Sequence, residues 1–190
     1  DRRQNIRKNH TATHLMHQAL KLILGDHVQQ AGSLVHPDYL RFDLTHFEKL
    51  TSDQIREIET MVNREILLNN ALDISVKNFD EAKKQGAVAM FGEKYGDKVR
   101  VVTVADFSME LCGGTHVERT GDIGLFKITE ESSLASGVRR IVAVTGPKAV
   151  EHIQKQAATL GNIQSQLNSG MEQVSERIDQ LLAQKKKIEK

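Results

Sequence analysis

Two short pairs hold the side chains best suited to chemistry: His10 and His14 in H-T-A-T-H, and Cys112 and His116 in C-G-G-T-H. Each pair is spaced i, i+4, which on a helix sets both side chains on one face. Together they offer three imidazoles and one thiolate, a donor set that tetrahedral zinc favours. An HxxxH among eight histidines says little by itself. The second pair adds weight because it contains the only cysteine, and its Gly113-Gly114 step lets a turn present Cys112 and His116 to one point. The reading is one four-ligand zinc site, with a buried thiol near unrelated histidines as the plainer alternative.

The surrounding residues narrow the chemistry. A zincin protease carries H-E-x-x-H with the glutamate as general base, and that position is Thr11. A zinc nucleobase deaminase needs H-x-E and P-C-x-x-C, and neither is present. A structural zinc knot draws its ligands from nearby loops, whereas these pairs lie about a hundred residues apart, so the metal would tie an early helix to a late loop.

The elements that must position them follow from periodicity. Residues 9–24 read as a helix with Ala12, Leu15, Met16, Ala19, Leu20, Ile23 and Leu24 as its apolar stripe and Gly25 as its stop. Two strands, 28–35 and 39–45, flank the turn His36-Pro37-Asp38. Thr51 and Gln54 form a capping-box pattern for a second helix, with Ile55, Ile58, Val62 and Ile66 on its apolar face and its end near Asn69-Asn70. Strands follow at 72–76, 99–105, 125–129 and 138–145, with a short helix at 80–85; Phe107 and Met109 lead into the Cys112 loop. Hairpin signals mixed with a few helices argue an α+β fold over residues 1–146.

Pro147 marks a boundary. Beyond it, Val150, Ile153, Ala157, Leu160, Leu167, Met171, Val174, Ile178, Leu181 and Ile188 keep a 3-4 spacing, interrupted by Gln164 and Lys185. This predicts one long helix with a coiled-coil seam over 147–190. Gly161 and Gly170 weaken it by about 1 kcal/mol each relative to alanine, so the seam calls for a partner helix, either a second copy of the chain or its own domain.

Composition describes a globular chain: 39% apolar, 27% charged, net charge +1. No apolar run reaches membrane-span length and no signal peptide is present, so a cytoplasmic, membrane-free protein is expected. One cysteine excludes an internal disulfide framework. Basic clusters at Arg2, Arg3, Arg7 and Lys8, at Lys94, Lys98 and Arg100, and at Arg139 and Arg140 are candidate phosphate contacts, with solvated surface charge as the alternative. The absence of an initiator methionine suggests an excised piece of a longer chain.

An ordered set of blocks, N-H-T-A-T-H-L, Q-Q-A-G-S-L-V, R-F-D, F-G-E-K-Y-G-D, E-L-C-G-G-T-H-V and G-V-R-R-I-V-A-V-T-G, resembles the editing domain of bacterial alanyl-tRNA synthetases. It is also similar to free-standing alanyl-tRNA editing proteins and, more distantly, to the threonyl-tRNA synthetase editing domain. The likeness covers roughly residues 1–146; the segment 147–190 is similar to the helical start of the C-terminal region, which in the family serves tRNA binding and dimerisation. The resemblance implies a zinc-containing hydrolase that removes serine or glycine from the 3′ end of alanine tRNA, working beside the rest of a synthetase chain. Such a second site is needed because a pocket built for alanine cannot exclude glycine by size and rejects a small hydroxylated analogue only weakly. No nucleotide-binding block is visible, so aminoacylation itself is not expected here.

Roles for other residues rest on that likeness. Gln30 is the first non-metal candidate, because its amide both donates and accepts and the matching segment lines the family's editing pocket. Thr11 and Thr13 could offer hydroxyls to substrate, although helical threonines often bond back to their own backbone. The Gly113 and Gly114 amides could stabilise an oxyanion or approach the ribose, and Lys94 and Arg139 are candidate contacts to the tRNA acceptor end. Zinc has two roles open: Lewis acid if Cys112 leaves the metal, or an orienter of substrate if all four ligands stay. The rival reading is a tRNA-binding and oligomerisation piece whose zinc is only structural.

Overall fold

The computed structural model describes residues 1–89 and 95–189. Lys94 and most of the F-G-E-K-Y-G-D block lie outside the described residues. The chain divides into two compact units, Asp1–Ala149 and Val150–Lys190.

The first unit is α+β. Helix α1 (Arg2–Leu24) stops where Gly25 takes φ 115°, a conformation that glycine tolerates best. Hairpin β1 (Gln30–Val35) and β2 (Leu40–Thr45) follows, then α2 (Ser52–Leu67), whose Thr51–Gln54 capping box is formed in both directions. A second group consists of β3 (Leu72–Asn78), α3 (Phe79–Lys84), β4 (Lys98–Val104) and β5 (Ser108–Leu111). Strands β6 (Phe126–Ala135) and β7 (Val138–Thr145) return to the first.

Among the described residues these strands form two antiparallel sheets, ordered β1-β2-β7-β6 and β3-β4-β5. Alternation along β2 sends Leu40, Phe42 and Leu44 to one face, where Ile141 and Ala143 of β7 and Phe126 and Ile128 of β6 join them. The apolar stripes of α1 (Ala12, Leu15, Met16, Ala19, Leu20) and α2 (Ile58, Val62, Ile66) cover that face. The smaller sheet packs Val99, Val101 and Leu111 against Ala82 and Ala87. Because α1 is held on both its core side and its β5 side, the histidines along its edge are placed rigidly.

Helix α1 begins at Arg2, a good deal before the residue 9 expected from its stripe. Differences appear in the strands as well. Strand β6 runs to Ala135 rather than ending at Thr129, through Glu130, Glu131, Ser132 and Ser133. In its polar half Ser132 and Ser133 face Arg140 and Arg139 of β7, and Arg139 bonds Glu131 diagonally, so polar pairing takes the place of apolar alternation. The approach to the Cys112 loop contains a further strand, β5, at Ser108–Leu111.

The long helix predicted for 147–190 is two helices, α4 (Gly146–Leu167) and α5 (Val174–Ile188), separated by a single 3₁₀ turn at Met171–Gln173. Asn168 adopts φ 46° and Gly170 caps the following turn, so local chain termination overrides a 3-4 spacing that runs on across the break. Gly161 stays inside α4. Ile178, Leu181, Leu182 and Ile188 of α5 are exposed. No helix among the described residues is long and apolar enough to cross a membrane.

Candidate metal centre

The fold brings His10 and His14, one turn apart on α1, to the loop after β5 that carries Cys112 and His116. Their donor atoms all lie within 4.8 Å of one another. Cys112 Sγ is 3.4 Å from His10 Nε2 and 3.4 Å from His116 Nε2. Zinc–ligand bonds of ~2.3 Å to sulfur and ~2.05 Å to nitrogen, at tetrahedral angles, require S···N spacings of about 3.6 Å and N···N spacings of about 3.4 Å. The donor set and its spacing therefore fit a tetrahedral zinc ion.

Each imidazole has its second nitrogen anchored differently, which fixes ring orientation and tautomer. His10 is hydrogen-bonded to the backbone of Thr115. His116 places Nδ1 3.1 Å from Thr11 Oγ1, and the same hydroxyl accepts the Val117 N–H at 3.2 Å. His14 turns Nδ1 toward Glu110 Oε2 at 3.4 Å, close enough for charge attraction but without an aligned hydrogen bond. The other carboxylate oxygen of Glu110 lies 3.0 Å from His17 Nδ1.

Burial keeps the rings neutral, as metal ligands must be. Desolvation and then the neighbouring His14 push His10 down to about 4, and desolvation followed by His14 and His10 pushes His116 down to about 2. His14 is lowered too, chiefly by desolvation. For Glu110 burial pulls upward, but His14 and the hydrogen bond from His17 outweigh it and hold the carboxyl below its ordinary range.

The C-G-G-T-H loop is shaped from behind by Arg100 of β4. One terminal nitrogen of its guanidinium donates to the carbonyls of Cys112 (2.7 Å) and Gly114 (2.6 Å). Its expected role as a phosphate contact thus gives way to a clamp on the ligand loop. Gly114 passes so close to His10 that a Cβ there would run into the imidazole, whereas a Cβ on Gly113 would meet open space. The Gly114 amide points at Cys112 Sγ (3.4 Å), which commits it to the thiol rather than to an oxyanion.

Glu110, which faces His14, also lines a cavity of about 350 Å³ together with His17, Gln30, Lys21, Lys83 and the apolar strip Ala87–Ala89. Gln30 lines this cavity, and its side-chain nitrogen donates to Ser33 Oγ at 3.2 Å. Thr11 is in the site but serves His116. Thr13 donates its hydroxyl back to the Asn9 carbonyl at 2.8 Å, the local bond that competes with substrate contact. Arg139 donates to Glu131 at 2.6 Å and is largely buried, and Arg140 is bidentate to Asp43 at 2.7 and 3.0 Å. Both guanidiniums are thus engaged by carboxylates of the main sheet. Glu110, His17 and the Arg100 clamp escaped the sequence reading; the glutamate two residues before Cys112, in E-L-C-G-G-T-H, was the one available cue.

Comparison with known proteins agrees with this geometry. Residues 99–142, which include Arg100, Glu110, Cys112 and His116, match the family described as the threonyl and alanyl tRNA synthetase second additional domain. The alanine–tRNA ligase of Myxococcus xanthus is 57% identical over 179 residues, covering 94% of this chain and 20% of that protein. The chain is similar to alanine–tRNA ligase from end to end. The ligase of Pseudoalteromonas translucida is 52% identical over 189 residues and that of Fervidobacterium nodosum 50% over 189 residues, each covering 100% of this chain and 22% of the relative. The chain thus spans about a fifth of the length of these relatives. The resemblance first carried by six short blocks extends through the helical segment as well.

Proposed function

We propose that this chain is an aminoacyl-ester hydrolase that removes serine and glycine from alanine tRNA, acting as the proofreading part of an alanine–tRNA ligase. The observation that carries the reading is the convergence of His10, His14, Cys112 and His116 beside a cavity lined by Gln30. The similarity to alanine–tRNA ligases supports it.

In this reading His10, His14, Cys112 and His116 hold zinc, which when bound supplies a fixed positive charge beside the cavity. Four protein donors fill a tetrahedron, so the residues around the metal must do the rest of the work. Gln30 hydrogen-bonds the substrate in the cavity, donating to a carbonyl or accepting from a hydroxyl. Thr11 and Glu110 hold the imidazoles in place, and Arg100 holds the loop.

The test is deacylation of seryl- and glycyl-tRNA specific for alanine by the purified chain, with and without a zinc chelator, while circular dichroism follows the fold. Metal-dependent hydrolysis with the fold retained is the expected result. Inertness in both conditions, on intact RNA, would favour the second reading, in which four protein donors saturate a structural zinc in a tRNA-binding piece.

A further inference from the structure

His17 is a buried side chain that the zinc ligation leaves unused. Its ring lines the cavity with Gln30 and Glu110 and packs beside Phe42, centroids 5.1 Å apart. Glu110 Oε1 stands 3.0 Å from Nδ1. A carboxylate accepts only, so it selects the tautomer with the proton on Nδ1 and leaves Nε2 with a lone pair. That Nε2 is buried and has no hydrogen-bond partner. An unpaired buried acceptor is a standing cost in stability and is rare enough to require a reason. Packing does not require an imidazole, and the hydrogen bond to Glu110 occupies only Nδ1, so Nε2 is left to be accounted for.

Resting on the ester-hydrolase reading, we propose that His17 is the general base of the reaction, oriented by Glu110. Nε2 takes a proton from the attacking water, whose oxygen forms the new bond to the ester carbonyl carbon. The imidazolium so formed is stabilised by the Glu110 carboxylate 3.0 Å from Nδ1. As the tetrahedral adduct collapses, the bond from carbon to the ribose oxygen breaks, its electron pair stays on that oxygen, and the oxygen receives the proton from Nε2. The products are the free amino acid and the free ribose hydroxyl, with His17 neutral again. Glu110 thus holds His17 with one oxygen and faces the zinc ligand His14 with the other, which ties the base to the metal centre.

The decisive variant is His17→Asn. The asparagine amide reaches the place of Nδ1 and keeps the hydrogen bond to Glu110, but nothing stands where Nε2 stood. The zinc-loaded chain is assayed on seryl-tRNA specific for alanine, with metal content and melting temperature measured alongside. The expected result is a fall in kcat of roughly 10²- to 10⁴-fold, a KM within about threefold, and metal content and melting as in the wild type. In His17→Ala, added imidazole should restore part of the lost rate. A His17→Asn rate close to wild type overturns the proposal, as does a loss that tracks lost metal or lost fold, or the absence of any recovery with imidazole. If the wild-type chain is itself inert, the hydrolase reading falls and the role of His17 falls with it; an active wild type with an equally active His17→Asn removes His17 alone.

Discussion

Thr11→Val is the sharpest test of how the metal centre is held. Valine replaces the hydroxyl with a methyl of similar size, so packing in a fully buried position is kept while two hydrogen bonds are lost. His116 Nδ1 and the Val117 N–H, now 3.1 and 3.2 Å from Oγ1, are left without this partner. Each buried polar group left unsatisfied costs about 1–3 kcal/mol, so the metal-free chain should lose roughly 2–6 kcal/mol of stability. Zinc affinity should fall by about 10- to 100-fold, because His116 is no longer held in its ligating tautomer. Urea unfolding reads the first quantity, and competition with a chromophoric chelator reads the second. Thr11→Ser retains the oxygen and should bind zinc as the wild type does, which separates the hydroxyl from the methyl. Unchanged zinc affinity in Thr11→Val would refute the claim that outer hydrogen bonds set this site.

Two further outcomes follow. Gly114→Ala drives a methyl into the His10 ring and should abolish stoichiometric zinc binding while leaving far-ultraviolet circular dichroism near wild type; full metal content by atomic absorption would show that the loop gives way. The third concerns acid. His10 (about 4), His116 (about 2) and His14 are all depressed in the folded chain, mainly by burial. The unfolded chain takes up protons first, near the ordinary value of 6.5. Stability of the metal-free chain is therefore fully present above that value and is lost as pH falls through the window from 6.5 toward 4. His10 alone should cost roughly 2 kcal/mol by about pH 5. A urea midpoint that does not move between about pH 7.5 and pH 5 would contradict the burial of these rings.

The parts of this fold that were legible are those encoded by local pattern. The stripe of α1, the His36-Pro37-Asp38 turn, the Thr51–Gln54 box and the alternation of β2 and β7 each lie within a few residues of sequence. The four clustered donors His10, His14, Cys112 and His116 were legible as a candidate metal set because residue type alone restricts what they can do. The supporting shell was not. Glu110 meets His14 and His17 only because β5 packs on α1, and β5 has just four residues, too few to show a period. Arg100 reads as surface charge until the hairpin of β4 and β5 folds it over the ligand loop. Arg139 likewise reads as free until β6 extends far enough to bring Glu131 across from it. In the helical segment the error runs the other way, since a sound heptad pattern concealed the stop at Asn168.

The spacing of the metal donors has a consequence in time. His10 and Cys112 are 102 residues apart, and both sheets of the first unit lie partly between them. Closing so long a loop carries a large entropic cost, which only the intervening folded elements remove in advance. As the chain emerges during synthesis, the H-T-A-T-H pair is exposed long before its partners exist, and an isolated pair of histidines binds metal weakly. The complete site therefore forms only after β5 has docked on α1, and occupancy reports that the sheets have already met. A misfolded or interrupted chain would carry all the early histidines and still fail to retain the ion.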